Sequence, residues 1–282
     1  MRVLLAFGRL VAALWHALAG LATIVFIFPR LDAQQRQQRV QAWARQMLRV
    51  MGVGLQVRGT AAAGPVLIVA NHISWLDILV LHAAHYCRFV SKSDVRRWPL
   101  VGRLATGAGT LYIERESRRD AMRVAHHMAQ ALRAGDVLAI FPEGTTSDGS
   151  QLLPFHANLL QAAITAGAPV QPVALAFRDA ATGAPSRTAA YIGDDTLVGS
   201  LWRTLAGAPF DAVVCFGEPE HCAGRNRRAW AQQLREQVAQ LRALDGEPGG
   251  MADGAAERAQ DSAAGSAVGG SQRDPRAAVP PS

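Results

Sequence analysis

Cysteine and aromatic residues are scarce in this sequence of 282 residues. The three cysteines are too few and too unevenly spaced for a disulfide framework, and Cys215 and Cys222 have only His221 nearby, which excludes a zinc site. We expect buried or idle thiols, which suit a reducing compartment. Aromatic residues make up 6% of the chain, and there is no zinc-finger spacing or RNA-binding signature, so nucleic acid is not expected as a partner.

Basic residues outnumber acidic ones, which gives a formal net charge of +7, and Lys92 is the only lysine. From Asp245 onward acidic residues outnumber basic ones, so the chain before that point is more basic than the whole. A basic body suits an anionic bilayer or a phosphorylated substrate. The segment 245–282 is rich in Gly, Ala, Ser, Pro and Asp and has almost no large apolar residue, so we expect it to be disordered.

Leu10–Phe28 is a nearly continuous apolar run that stops at Pro29-Arg30. A helix that crosses the hydrocarbon core needs about 20 apolar residues, or about 17 at the short end, so this run qualifies as a membrane anchor. A signal peptide cleaved after Ala17-Leu18-Ala19 is the alternative. The apolar region of such a peptide is usually about 7–15 residues long, and this run continues well past Ala19, so we favour the anchor.

The stretch from Leu31 to Met51 has apolar residues at helical spacing and several arginines. Such a helix can lie in the membrane interface with its apolar side in lipid, and packing of that side on the protein core is the alternative. Because an anchor precedes it, we favour the interface and predict a membrane-embedded helical hairpin over residues 1–51. More cations follow the anchor than precede it, so the charge rule places the body on the cytoplasmic side of the inner membrane.

Residues 52–244 alternate short apolar runs with helical patterns. This alternation predicts an α/β domain with a central mixed sheet flanked by helices. The predicted strands are Val53–Arg58, Val66–Ala70, Arg88–Ser91, Gly109–Ile113, Val137–Phe141, Val170–Ala176 and Ala212–Phe216. The predicted helices are Leu76–Ala84, Arg118–Arg133, Leu159–Ala166 and Arg228–Leu244.

His72 and Asp77 follow the apolar strand Val66–Ala70. On one regular helix the two side chains would point about 140° apart, so His72 must lie in the turn before the helix for its ring to reach Asp77. The carboxylate would then hold one ring N–H and leave the other nitrogen to take a proton from an alcohol. By spacing alone, a histidine that simply packs or faces solvent is the stronger alternative.

Two more predicted strands end in polar residues. Glu143, Gly144 and Thr145 lie in the turn after one of them, where a carboxylate and backbone N–H groups can face a polar head group. Arg115 follows the other and can hold a phosphate through two parallel hydrogen bonds. Pairing of this arginine with a neighbouring glutamate is the alternative. Three such strand ends are more than independent accidents.

The order and spacing of these segments resemble the glycerolipid acyltransferases, above all the bacterial 1-acyl-sn-glycerol-3-phosphate acyltransferases. The first block of that family, Asn-His-x-x-x-x-Asp, is matched by residues 71–77. The second block is matched by residues 112–115 and the third, Phe-Pro-Glu-Gly-Thr-Arg/Thr-Ser, by residues 141–147. A proline-centred strand is matched at residues 170–173, with glutamine in place of the usual valine before the proline. The resemblance covers residues 30–220.

The resemblance implies that His72 is the general base, that Asp77 orients it, and that the acceptor hydroxyl attacks an acyl thioester directly. Backbone N–H groups near the first block are expected to stabilise the oxyanion. The implied substrate-binding residues are Lys92, Arg115, Glu143, Gly144, Thr145 and Pro172. No cofactor or metal is implied. The donor is expected to be acyl-CoA or acyl-carrier protein.

The leading hypothesis is a membrane-bound enzyme that acylates the free sn-2 hydroxyl of lysophosphatidic acid to give phosphatidic acid. A second hypothesis keeps the chemistry but changes the acceptor to another lysolipid, such as lyso-ornithine lipid. A third is a non-catalytic protein that binds membrane lipids and has no need of His72.

Overall fold

The computed structural model describes residues 2–113 and 118–244. Two sequence predictions, the phosphate-binding role of Arg115 and the disorder of segment 245–282, lie outside the described residues. The strands are β1 (Val53–Arg58), β2 (Val66–Ala70), β3 (Arg88–Lys92), β4 (Leu111–Ile113), β5 (Val137–Ile140), β6 (Val170–Asp179) and β7 (Phe210–Phe216). The helices are α1 (Arg2–Ala22), α2 (Ala33–Met51), α3 (Leu76–Ala84), α4 (Val101–Gly107), α5 (Arg118–Arg133), α6 (Gln161–Ala166), α7 (Leu197–Ala206) and α8 (Arg227–Leu244).

The seven strands form one mixed sheet in the order β1-β7-β6-β2-β5-β3-β4. β6 and β7 pair antiparallel, and every other neighbouring pair is parallel. β2 and β5 are apolar along their whole length and are fully buried, as expected for parallel strands covered on both faces. Because β2 is parallel to both β5 and β6, the chain leaves all three strands at the same edge of the sheet.

Side chains of β2 point alternately to the two faces of the sheet, and each face has its own helical layer. Ile68 and Ala70 pack in a cluster with side chains of α1, α2, α3 and α7. Leu67 and Val69 pack in a second cluster with side chains of α5, α6 and α8. The predicted sheet flanked by helices is therefore confirmed. The helices α4 and α7 were not predicted.

α1 and α2 form an antiparallel pair held by His16 and Trp43. The Trp43 indole N–H donates to the carbonyl of His16 at 3.1 Å, and the two rings stack with their centroids 5.3 Å apart. Gly20 allows this approach, because a Cβ there would lie 2.4 Å from the indole nitrogen. α1 continues through a π-helical turn and a 3-10 turn to Arg30. By length and composition, Arg2–Arg30 is the one candidate membrane span among the described residues.

The apolar face of α2 packs inside the protein. The helix begins with a capping box between Asp32 and Gln35 and ends at Gly52, whose φ of 76° suits a glycine. Its buried side chains are Val40, Ala44, Met47, Leu48 and Met51. All of these except Val40 join the cluster shared with α1 and α3, so this side of the helix packs on the core. A position of α2 at the membrane interface stays a prediction. The described residues form one compact unit with no break at residue 51.

Candidate active site

Asn71 fixes the chain where β2 ends. The last paired residues of β2 and β6 are Ala70 and Val173. One step further, the Asn71 amide donates to the carbonyl of Leu175 at 3.0 Å and accepts from the N–H of Leu175 at 2.7 Å. The buried amide thus replaces the next ladder rung and lets the backbone turn away from the sheet at His72.

His72 lies in the turn between β2 and α3, and its ring reaches back to Asp77 as predicted. Nδ1 of His72 and Oδ2 of Asp77 are 2.8 Å apart, and the Asp77 side chain is fully buried while that of His72 is 19% exposed. An ionised carboxylate only accepts, so Nδ1 carries the ring proton in neutral His72 and Nε2 has none. This is the protonation state that a general base requires.

The Asp77 carboxylate is itself held by the turn. Oδ2 also accepts the N–H of Ile73 at 2.7 Å and the N–H of Ser74 at 2.9 Å. One oxygen thus accepts from three donors at the first turn of α3, and these bonds fix the orientation of the side chain. The N–H groups of His72, Ile73 and Ser74 all have side-chain acceptors. Stabilisation of the oxyanion by other N–H groups near this block stays a prediction.

Glu143 clamps the catalytic turn from the neighbouring strand end. Oε1 accepts the N–H of His72 at 2.8 Å, and Oε2 accepts the N–H of Leu153 at 2.9 Å. The N–H of Ser147 donates to the carbonyl of His72 at 2.9 Å, so both sides of the His72 backbone are bound by the segment after β5. Burial raises the pKa of Glu143, and the hydrogen bonds from Leu153 and His72 oppose that shift. Contact of Glu143 with substrate stays a prediction.

Aromatic side chains fix the plane of the His72 ring. The ring of Phe141 stacks on it with centroids 3.9 Å apart and planes 5° apart, and Phe89 stacks on Phe141 at 5.7 Å. Phe141 directly follows β5, and Phe89 is the second residue of β3. They limit rotation of the imidazole and form an apolar wall beside it.

The other predicted site residues surround this centre at different depths. Gly144 and Thr145 are exposed in the turn beside Glu143, and Gly144 has φ of 74°. Lys92 is exposed at the end of β3, on the far side of β5 from β2. Pro172 is buried inside β6, paired with Val69, and so lies below the edge where His72 sits. Substrate binding by these residues stays a prediction. Asn71 and Phe141 were quoted only as parts of motifs, and spacing gave no sign of their contacts.

The chain belongs to the acyltransferase family: the family model described as Acyltransferase matches residues 35–176. It is therefore an acyltransferase, and its relatives are enzymes of lipid biosynthesis. A lyso-ornithine lipid O-acyltransferase of Pseudomonas aeruginosa is 38% identical over 242 residues, which are 84% of this chain and 92% of that protein. A 1-acyl-sn-glycerol-3-phosphate acyltransferase of Neisseria meningitidis is 38% identical over 175 residues, which are 61% of this chain and 68% of that protein.

The fold is similar to that of a solved structure. The crystal structure of the 1-acyl-sn-glycerophosphate acyltransferase PlsC from Thermotoga maritima matches with a TM-score of 0.63 and 20% identity. The match covers 86% of this chain and 98% of that one. At this identity the likeness is one of fold.

Proposed function

We propose that this acyltransferase moves a fatty acyl group from an acyl thioester to a free hydroxyl of a lysolipid, with His72 as the general base. The observation that carries the proposal is the buried Asp77 carboxylate 2.8 Å from Nδ1 of His72. It holds the ring in the tautomer whose Nε2 can take a proton, in a chain that belongs to the acyltransferase family.

The proposed reaction proceeds without an acyl-enzyme. Nε2 of His72 removes the hydroxyl proton while the hydroxyl oxygen attacks the thioester carbonyl, and Asp77 stabilises the imidazolium that forms. The tetrahedral intermediate collapses, its carbon–sulfur bond breaks, and the departing thiolate takes the proton from His72. The products are an ester and a free thiol, and the neutral histidine is restored.

Two acceptors are proposed. Lysophosphatidic acid, acylated at its sn-2 hydroxyl, follows from the motif resemblance and from the Neisseria relative. Lyso-ornithine lipid is favoured by a different observation: the Pseudomonas relative matches over 92% of its length at the same 38% identity. The two head groups differ in charge, because the first carries a phosphate and the second is built on an amino acid.

The proposed setting is the cytoplasmic face of the inner membrane, with α1 as the anchor. Its outward side chains are largely exposed, among them Leu4 at 78% and Trp15 at 73%, although they are apolar. Such a surface suits lipid. An enzyme attached in this way meets its lysolipid acceptor in the bilayer and its thioester donor, acyl-CoA or acyl-carrier protein, in water.

One assay tests the function and ranks the acceptors. Full-length protein in detergent is given acyl-CoA or acyl-carrier protein with either lysolipid, and wild type is compared with His72→Ala. We expect thioester-dependent acylation of at least one acceptor by wild type, and its loss in the variant. Equal rates for both proteins would refute His72 as base. Lipid binding without acylation by wild type would favour the non-catalytic hypothesis.

A further inference from the structure

A cavity of about 690 Å³ lies beside the catalytic turn. Ile73 forms part of its wall, together with residues 148–152, residues 175–178 of β6, the loop 185–187 and the last turns of α8. Its volume is that of an ordinary small-ligand site. The wall is physically continuous with the catalytic residue, because Ile73 follows His72 in the chain and Ser147, which precedes residue 148, is bonded to the His72 carbonyl.

The cavity is strongly basic. Among the described residues that line it are one acidic residue, Asp148, and four arginines: Arg178, Arg187, Arg235 and Arg242. Asp148 pairs with Arg187 at 3.1 Å. Nη2 and Nε of Arg235 donate to the carbonyls of Leu152 at 2.6 Å and Leu153 at 3.1 Å. Carbonyl groups orient a guanidinium but do not neutralise its charge, so Arg235 brings a positive charge to the cavity wall.

Arg242 shows the electrostatic consequence. It is half-buried and donates to the carbonyl of Gly149. Burial lowers the pKa of Arg242, the charge of Glu143 raises it, and the like charge of Arg178 lowers it further. An anion in the cavity would offset the desolvation of the Arg242 guanidinium.

The cavity and Lys92, one of the predicted acceptor residues, lie on opposite sides of His72. In the sheet, β2 stands between β6, which lines the cavity, and β5, beyond which β3 carries Lys92. Arg235 and Arg242 belong to α8, in the layer on the opposite face of the sheet from the apolar helix α1. A basic cavity reached from that layer suits a water-soluble anion and not a lipid.

We propose that this cavity, the arginine pocket, binds the phosphate of the phosphopantetheine arm of the acyl donor, so that the thioester reaches His72 from the β6 side. The proposal rests on the proposed function. Acyl-CoA and acyl-carrier protein share this phosphorylated arm, so the same pocket serves either carrier. The acceptor then occupies the β3 side, and the two substrates meet at Nε2 of His72.

The test is a double variant, Arg235→Gln with Arg242→Gln, compared with wild type and with Arg228→Gln. Glutamine keeps a donor for the carbonyls that these arginines now bind but removes the charge. Arg228 is exposed on the same helix and does not line the arginine pocket, so its variant is a matched control for lost charge. The donors are acyl-CoA, acyl-carrier protein and an S-acyl pantetheine, which has no phosphate.

We expect the double variant to raise the KM for a phosphorylated donor by roughly 10-fold or more, because charge-assisted bonds to its phosphate are lost. The KM for the lysolipid and the rate with S-acyl pantetheine should stay within about twofold of wild type, because neither substrate places a phosphate in the arginine pocket. If the KM rises for only one of the two phosphorylated donors, that donor supplies the phosphate that the arginine pocket binds.

An unchanged donor KM in an active, folded double variant would overturn the proposal, and so would a rise confined to the lysolipid KM. A wild-type protein that acylates no acceptor would instead refute the proposed function. If the double variant does not fold, Arg187→Gln replaces it, because that side chain is 72% exposed and its pocket contact is one ion pair.

Discussion

Asp77→Asn is the sharpest test of the catalytic pair. Asp77 is fully buried and its Oδ2 accepts from Nδ1 of His72 and from the N–H groups of Ile73 and Ser74. Asparagine has the same shape, and its amide oxygen can still accept these bonds. It has no charge, however, so the imidazolium formed during proton transfer loses a counter-ion whose oxygen lies 2.8 Å from the ring.

We expect kcat to fall by roughly 10²–10⁴-fold, the usual worth of a positioned general base. That corresponds to about 3–5 kcal/mol in the activation barrier. The assay is the initial rate of thiol release from an acyl thioester at saturating lysolipid, with thermal unfolding to confirm the native fold. Because the two residues act as one unit, the double variant with His72→Ala should be no slower than His72→Ala alone.

The control is Asp195→Asn, which breaks a partly exposed ion pair with Arg203 on the surface and should leave kcat unchanged. A folded Asp77→Asn protein with a kcat within about fivefold of wild type would refute the reasoning, since general-base catalysis should be worth at least about 100-fold.

Three further predictions follow. Glu143→Gln leaves one of two bound backbone N–H groups without an acceptor. The free energy of unfolding should therefore drop by about 1–3 kcal/mol, and kcat should fall with it. A denaturant midpoint equal to that of wild type would contradict this. Burial lowers the pKa of His82 from 6.5 to about 4. Between pH 6.5 and pH 4 the unfolded chain therefore binds a proton at His82 that the folded chain does not bind. The free energy of unfolding should fall by up to about 3 kcal/mol from pH 6.5 to pH 4. In the His82→Phe variant the denaturant midpoint should depend less on pH in that window. A pH dependence equal to that of wild type would show that His82 is not its cause. Phe7→Gln with Trp15→Gln should weaken sedimentation with lipid vesicles, since each exposed apolar side chain is worth about 1.5–3 kcal/mol when buried; undiminished sedimentation would exclude α1 as the anchor.

The sequence by itself determined the sheet and the chemistry at its edge. Val66–Ala70 and Val137–Ile140 are apolar without interruption, a pattern typical of strands covered on both faces. Parallel strands end at a common edge, so His72 and the segment around Glu143 were expected at that edge. The five-residue spacing of His72 and Asp77 required a turn before the helix, and the structure has that turn.

Only the tertiary structure decided what each group at that edge contacts. Glu143 was expected to face substrate. Both of its carboxylate oxygens accept backbone N–H groups, those of His72 and Leu153, because the loop that contains Leu153 folds back on it. The apolar face of α2 packs against α3, and an amphipathic pattern alone does not distinguish such packing from a membrane interface. The arginine pocket gathers side chains from β6, a loop and α8. Such a cavity depends on contacts between segments far apart in the chain, and local spacing carries no record of them.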